Sequence, residues 1–143
     1  MNTTPISLGQ FQSKNKKKVI IVHNDEAIQR VLQGALEDAG FDARTMWSGY
    51  EALAFLESQP SHVLLADDYV PDLHFHDFLK RVGHLRIQPR IVVMQAPKPT
   101  EDDLRQYALL GASTVVSKHD IDQVCRVVSS CCIDDSLAKI RVN

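Results

Sequence analysis

The sequence predicts an α/β fold, a parallel five-stranded sheet covered by helices on both faces. Three observations carry that prediction. Short runs of β-branched and aliphatic residues alternate with stretches of helical periodicity. The clearest runs, Val19–Val22 and Val63–Ala66, are apolar at every position, as strands buried on both faces must be. Glycine, proline and capping residues punctuate each change of period.

Taken in order, Val19-Ile20-Ile21-Val22 reads as the first strand. Ile28, Val31, Leu32, Ala35, Leu36 and Ala39 then recur at i, i+3, i+4, i+7, i+8 and i+11, one continuous apolar helix face. Gly40 is placed to end that helix in the left-handed conformation, with Phe41 folding back as the hydrophobic contact. Asp42–Trp47 is a second, less regular strand. Ser48-Gly49-Tyr50-Glu51 has the form of a capping box, opening a helix that buries Ala52, Leu53 and Leu56 and stops before Pro60.

Val63–Asp67 is the third strand, ending on the carboxylate pair Asp67 and Asp68. A helix from about His76 to Arg86 turns Phe75, Phe78, Leu79, Val82 and Leu85 inward, and Ile91–Met94 is the fourth strand. Pro97 and Pro99 stiffen the next loop. Thr100 and Asp103 cap a helix carrying Leu104, Tyr107 and Ala108, closed by Gly111. Thr114–Ser117 is the fifth strand, and Asp120–Ile133 the last helix. Right-handed crossovers then give a flavodoxin-like three-layer αβα sandwich of strand order 2-1-3-4-5.

The bulk numbers restrict function mainly by exclusion. A chain of 143 residues, 44% hydrophobic and 24% charged, is one globular domain with a modest excess. Residues 1–18 read as a flexible basic arm ending in Lys14-Asn15-Lys16-Lys17-Lys18, residues 19–133 as the domain, and 134–143 as a polar tail. A net charge of −2 gives no general attraction to nucleic acid or anionic lipid, and the lysine cluster is short and lacks interleaved aromatics. No apolar run approaches the roughly 20 residues that span a bilayer, and no secretory signal pattern is seen. The expectation is a cytoplasmic protein that contacts neither membrane nor nucleic acid directly. Cys125, Cys131 and Cys132 match no zinc spacing and read as small buried hydrophobes.

In such a sheet, ligands bind at the carboxyl ends of the strands. That edge gathers His23 and Asn24, Asp67 and Asp68, Gln95, and Lys118 with His119. With the apolar strand closing on Asp67 and Val70-Pro71 beyond it, the sequence resembles the receiver domain of two-component response regulators. Gly49-Tyr50-Glu51-Ala52-Leu53, Gly111-Ala112 and Val115-Val116-Ser117-Lys118 carry the same resemblance, which spans about Val19 to Ile133. It implies that Asp67 is the phosphoacceptor for a histidine kinase and that Lys118 contacts the phosphoryl oxygens. A lysine ammonium suits that task as a compact point charge.

The family's Mg2+ is held by an acidic pair after the first strand, where this chain has His23 and Asn24. Mg2+ requires oxygen ligands, usually with one or two carboxylates. The implied site is therefore weak, a degenerate set of His23, Asn24, Asp25, Asp68 and Tyr69 around Asp67. Gln95 stands at the position of the small hydroxyl residue that follows the phosphoryl group, and Val115 at that of its partner aromatic. His119 replaces a proline after the lysine, and Phe75 replaces a glycine.

These departures imply an atypical, pseudo-receiver-like module acting through protein contacts, with weak phosphorylation or none. Its partners would be a histidine kinase or another signalling protein, or a second copy through the fourth-helix, fifth-strand, fifth-helix face. That face would display Arg105, Gln106, Thr114, Asp122, Gln123 and Arg126. Three alternatives stay open: a phosphorylation-competent single-domain switch, a transition-metal site drawing on His23, His74, His76 and His119, and a small α/β enzyme. No nucleophile elbow or phosphate-cradling loop supports the last, and the chain is not expected to be an enzyme.

Overall fold

A computed structural model of the chain describes residues 16–96, 99–133 and 139–140. Most of the basic arm, Pro97, and the rest of the tail lie outside the described residues. The strands are β1 (Lys18–Val22), β2 (Asp42–Met46), β3 (Val63–Asp67), a two-residue β4 (Ile87–Gln88), β5 (Arg90–Gln95), β6 (Ala112–Ser117) and a two-residue β7 (Lys139–Ile140). The helices are α1 (Glu26–Asp38), α2 (Gly49–Ser58), α3 (Phe75–Val82), α4 (Glu101–Leu109) and α5 (Ile121–Cys131).

The main sheet is parallel, in the order β2-β1-β3-β5-β6. This is the expected 2-1-3-4-5 arrangement, with the short β4 inserted before the fourth sheet strand. Every residue of β3 is buried, because α1 and α5 pack on one face of the sheet and α2, α3 and α4 on the other. Alternation along the strands divides the core. Ile20, Val22, Leu64, Ala66 and Val93 meet Leu56, Phe78, Leu79 and Val82. Val19, Ile21, Leu65, Val92 and Met94 meet Leu32, Leu36, Val124 and Val128. Cys125, Cys131 and Cys132 are half-buried thiols against that second layer.

Local chemistry explains the boundaries. The Asp25 carboxylate accepts from the Ala27 and Ile28 amides and starts α1. At its other end Gly40 takes φ 97°, the Gly40 amide donates to Glu37 and the Phe41 amide to Leu36. That bonding is a Schellman motif, with Phe41 buried behind it. Thr100 and Asp103 close a full capping box at α4.

Several expectations need correction. The buried stripe of α1 is narrower than its periodicity suggests: Val31 is 55% exposed, Ala39 is exposed, and Gln29 is buried instead. Ser48 caps α2, but Glu51 reaches past it to the Trp47 amide at 2.8 Å. α3 ends at Val82, while Leu85 still packs inward from the following turn. In α4 no residue is buried. Leu104 and Ala108 face outward, because only Tyr107 and the flanking Leu110 lean on the core. Residue 18, assigned to the arm, is the first residue of β1.

Phe78 is fully buried where α3 meets the sheet, and it packs beside Phe75. Phe78→Ala is expected to cost about 3–5 kcal/mol through lost transfer energy and the cavity left behind. Urea unfolding monitored by circular dichroism measures this as a lower midpoint at an unchanged slope.

Candidate functional site

Strand register assembles the site. Val22 pairs with Ala66 in the parallel ladder, so His23, the next residue, lies beside Asp67. Met94 pairs with Asp67, and Gln95 with Ser117, so Lys118 leaves β6 next to the same edge. The Lys118 amide also donates to the Gln95 carbonyl at 3.2 Å.

Asp67 is 3% exposed, and its Oδ1 is in direct ion-pair contact with the Lys118 ammonium. The same ammonium reaches Asp68 Oδ1 at 3.4 Å. Burial of Lys118 works against its charge, but the hydrogen bond and charge of Asp67, helped by Asp68, override it and raise the lysine above its ordinary value. The pair ties the carboxyl end of β3 to that of β6.

His23 approaches the same carboxylate oxygen as Lys118 does. Its ring is buried, Nδ1 accepts from the Asp25 amide at 3.0 Å, and Nε2 lies 3.8 Å from Asp67 Oδ1. An acceptor at Nδ1 places the proton of the neutral imidazole on Nε2, facing the carboxylate. Burial pushes the His23 pKa down, an effect stronger than the opposing pull of Asp67. The backbone at His23 is tied to the end of β2 by Gln29, whose side-chain amide donates to the carbonyls of His23 and Met46.

This geometry tests the site against Mg2+. Of the two positions that would supply a hard cation with carboxylates, one holds a buried imidazole and the other the exposed Asn24. Asp25 is exposed and occupied as the α1 cap. Tyr69 is 56% exposed and lines a separate cavity of about 300 Å³ with Asp68, His74, His76 and Tyr107. Asp67 and Asp68 already share one ammonium. The donor set does not fit Mg2+, which needs several oxygens in near-octahedral array.

The histidines do not converge either. His74 and His76 are neighbours, with ring centroids 5.3 Å apart, and His76 stacks toward Tyr107. His119 is exposed, whereas His23 is buried beside Asp67. Among the described residues, no three of His, Cys, Asp and Glu are grouped to hold a metal ion.

Gln95 turns away from Asp67. Its side-chain amide donates to Asp103 Oδ2 at 3.0 Å, the oxygen that also accepts from the Thr100 amide in the α4 capping box. Those hydrogen bonds hold the Asp103 carboxyl below its usual range. β5 is thereby fastened to the start of α4.

Two contributors escaped sequence reasoning. Asp72 accepts from the Gly49 and Tyr50 amides at 2.9 and 3.1 Å, fastening the loop after Asp67 to the start of α2. Burial is the largest single influence and opposes its charge, but the hydrogen bonds, led by the Tyr50 and Gly49 amides, together outweigh it and lower its pKa. Gly49 fits closely there: a Cβ would lie 3.1 Å from the side chains of both Leu73 and Phe78, which would have to give way by a few tenths of an ångström. Gln29 is the other, a polar residue adjacent to the stripe with nothing in its spacing to mark it.

The depressed His23 pKa has a signed consequence. Above the ordinary value of 6.5 neither folded nor unfolded His23 binds a proton, and stability is unaffected. As pH falls below 6.5 the unfolded chain takes up a proton that the folded one resists, so stability declines until the folded pKa is passed. His23→Gln is expected to flatten that decline between pH 6.5 and 5. Urea midpoints measured across the interval, against the wild-type protein, check it.

Comparison with known proteins follows from this geometry. The family model for the response regulator receiver domain matches residues 19–129. The alkaline phosphatase synthesis transcriptional regulatory protein PhoP of Bacillus subtilis is 29% identical over 102 residues, 71% of this chain and 42% of the relative. The regulatory protein VanRc of Enterococcus gallinarum is 24% identical over 113 residues, 78% of this chain and 48% of the relative. The chain thus spans less than half the length of these two relatives. Among solved structures, the receiver domain of Francisella response regulator 1452 superposes with TM-score 0.77 at 21% identity, covering 85% of this chain and all of that one. The receiver domain of Ssk1, co-crystallised with the histidine phosphotransfer protein Ypd1 of Saccharomyces cerevisiae, gives 0.76 at 18% identity over 85% and 92%.

Proposed function

The chain belongs to the response regulator receiver domain family, and from that premise we propose that it is an atypical receiver of two-component signalling. It works through protein contacts rather than through phosphorylation of Asp67. The observation that carries this reading is the neutralised carboxylate. Oδ1 of Asp67 meets both the Lys118 ammonium and the His23 imidazole, the latter standing where the family has a magnesium-binding pair. Phosphoryl transfer relies on positioning and on cations that offset developing charge. Here one ammonium is shared by two carboxylates, and a neutral ring occupies the second cation's wall.

The second part of the reading concerns output. Gln95 fastens β5 to α4 through Asp103 with no phosphoryl group involved. α4 then presents a fixed exposed face containing Leu104, Arg105 and Leu109, flanked by Asp122 and Arg126 of α5. That surface suits a signalling protein, a histidine kinase or phosphotransfer protein, or a second copy of this chain. Among the described residues no helix is long and apolar enough to cross a membrane. A cytoplasmic address and no direct contact with nucleic acid belong to the same reading.

Incubation with acetyl phosphate and Mg2+, followed by intact-mass analysis, tests it. The wild-type chain is expected to gain no acyl-phosphate. The double variant His23→Asp/Asn24→Asp, which restores carboxylates beside Asp67, is expected to gain one that Asp67→Asn removes. An adduct at Asp67 of the wild-type chain, formed as readily as in the double variant, would overturn the proposal.

A further inference from the structure

Five rings, those of Tyr69, His74, Phe75, His76 and Tyr107, line the cavity of about 300 Å³ that adjoins the Asp67 site, and Asp68 adds a carboxylate to its wall. Four of the rings come from the loop after β3 and the first turn of α3. Tyr107 reaches them from α4.

The rings are inclined to one another rather than stacked. Phe75 and Tyr107 meet edge to face, with centroids 5.7 Å apart and planes at 81°. His74 and His76 are tilted by 42° at 5.3 Å, and His76 and Tyr107 by 44° at 6.0 Å. A cation is attracted to an aromatic face within about 6 Å of the ring centroid. With centroids this close, one cation in the cavity can lie within that range of several rings at once.

The charge around the cavity has the complementary sign. Asp67 and Asp68 share the single ammonium of Lys118, which leaves one negative charge in excess. Burial raises the pKa of the Tyr107 hydroxyl, and the charges of Asp68 and Asp103 raise it further, so the field at that ring favours a cation. The N-terminus of α3 has no side-chain cap and by itself would favour an anion, but Asp77 in its first turn opposes that.

We propose that this cavity is a cage for a methylated ammonium head group, carried by a free small molecule or by a methylated lysine side chain. Size and chemistry select that class. The volume is at the lower end for ligand sites and suits a head group rather than a large cofactor. A bare ammonium or a metal ion gives up strong hydration and needs several acceptors in return, whereas Oδ1 of Asp68 is already engaged by Lys118. A methylated ammonium is weakly hydrated and is held by ring faces instead. Tyr69 and His74 are exposed, which leaves the cavity open to an entering ligand.

Titration with choline chloride at about pH 8, where an ordinary imidazole is neutral, tests the proposal by nuclear magnetic resonance. The aromatic resonances of Tyr69, His76 and Tyr107 are expected to shift saturably at millimolar choline. The neutral isostere, with tert-butyl in place of trimethylammonium, is expected to bind about tenfold more weakly. Tyr69→Leu and Tyr107→Leu each keep apolar bulk but remove a ring, and each is expected to weaken choline binding about fivefold. Tyr69 is 56% exposed, so the first variant leaves the core intact. A trimethyllysine peptide, run beside its unmethylated form, separates the two sources: binding tighter than choline places the head group on a partner protein, and weaker binding places it on a free molecule. The absence of saturable shifts, an isostere that binds as tightly as choline, or unchanged affinity in both variants would overturn the proposal. Sulfate that shifts the same resonances more strongly than choline would also overturn it, by making the N-terminus of α3 an anion site.

Discussion

A carboxylate at the end of a strand with no exposed residue must be neutralised, and much of this structure follows from how that is done. β3 is buried along its length and closes on Asp67. Leaving that charge unpaired would cost several kcal/mol, about 3–5 when one partner of a buried pair is removed. Lys118 supplies the cation from just beyond β6, and the ring of His23 lies 3.8 Å from the same oxygen. The same ammonium also serves Asp68, so two carboxylates share one cation supplied by the protein. At the edge that the family uses to hold a metal ion and a phosphoryl group, this chain has an Asp67–Lys118 ion pair and an imidazole.

The connections leaving that edge are equally fixed. Asp72 binds the loop after β3 to the start of α2, and Gln95 binds the end of β5 to the capping box of α4. Each joins a strand end to a helix N-terminus, where backbone donors await acceptors. A switch needs an element with two arrangements of similar energy that its ligand can bias. Here the helix that would report on the site is held by a side-chain bond formed without a ligand. Apart from Tyr107, which leans on the core, most of its residues face outward.

The strands and helix caps were legible because their chemistry is local. An unbroken apolar run such as Val63–Ala66 has few alternatives to a central strand, and Gly40 followed by Phe41 predicts the Schellman bonding seen. The gathering of His23, Asp67 and Lys118 was legible too, because parallel register follows once strand order is known. What could not be read depended on distant surroundings. Val31 fits the helical period of α1 yet faces outward, since the sheet covers a narrower stripe than the pattern allows. Leu104 and Ala108 fit the period of α4 but lie on a helix that leans on the core through Tyr107 alone among its own residues. Asp72, Gln29 and the Gln95–Asp103 bond join residues whose pairing no spacing announces. Residues predicted near one edge need not converge: among the described residues, no three of His, Cys, Asp and Glu are grouped to hold a metal ion.

The most direct test of the central claim is an amide-shift titration of the wild-type chain with Mg2+ and beryllofluoride, a mimic of the acyl-phosphate, with Asp67→Asn as control. If Lys118 and His23 hold Asp67 in a closed, neutralised pocket, the spectra of the two proteins respond alike, with no shifts specific to Asp67, Gln95 or Lys118 at millimolar Mg2+. Large shifts at those residues that vanish in Asp67→Asn would contradict the account and establish a working phosphoacceptor site.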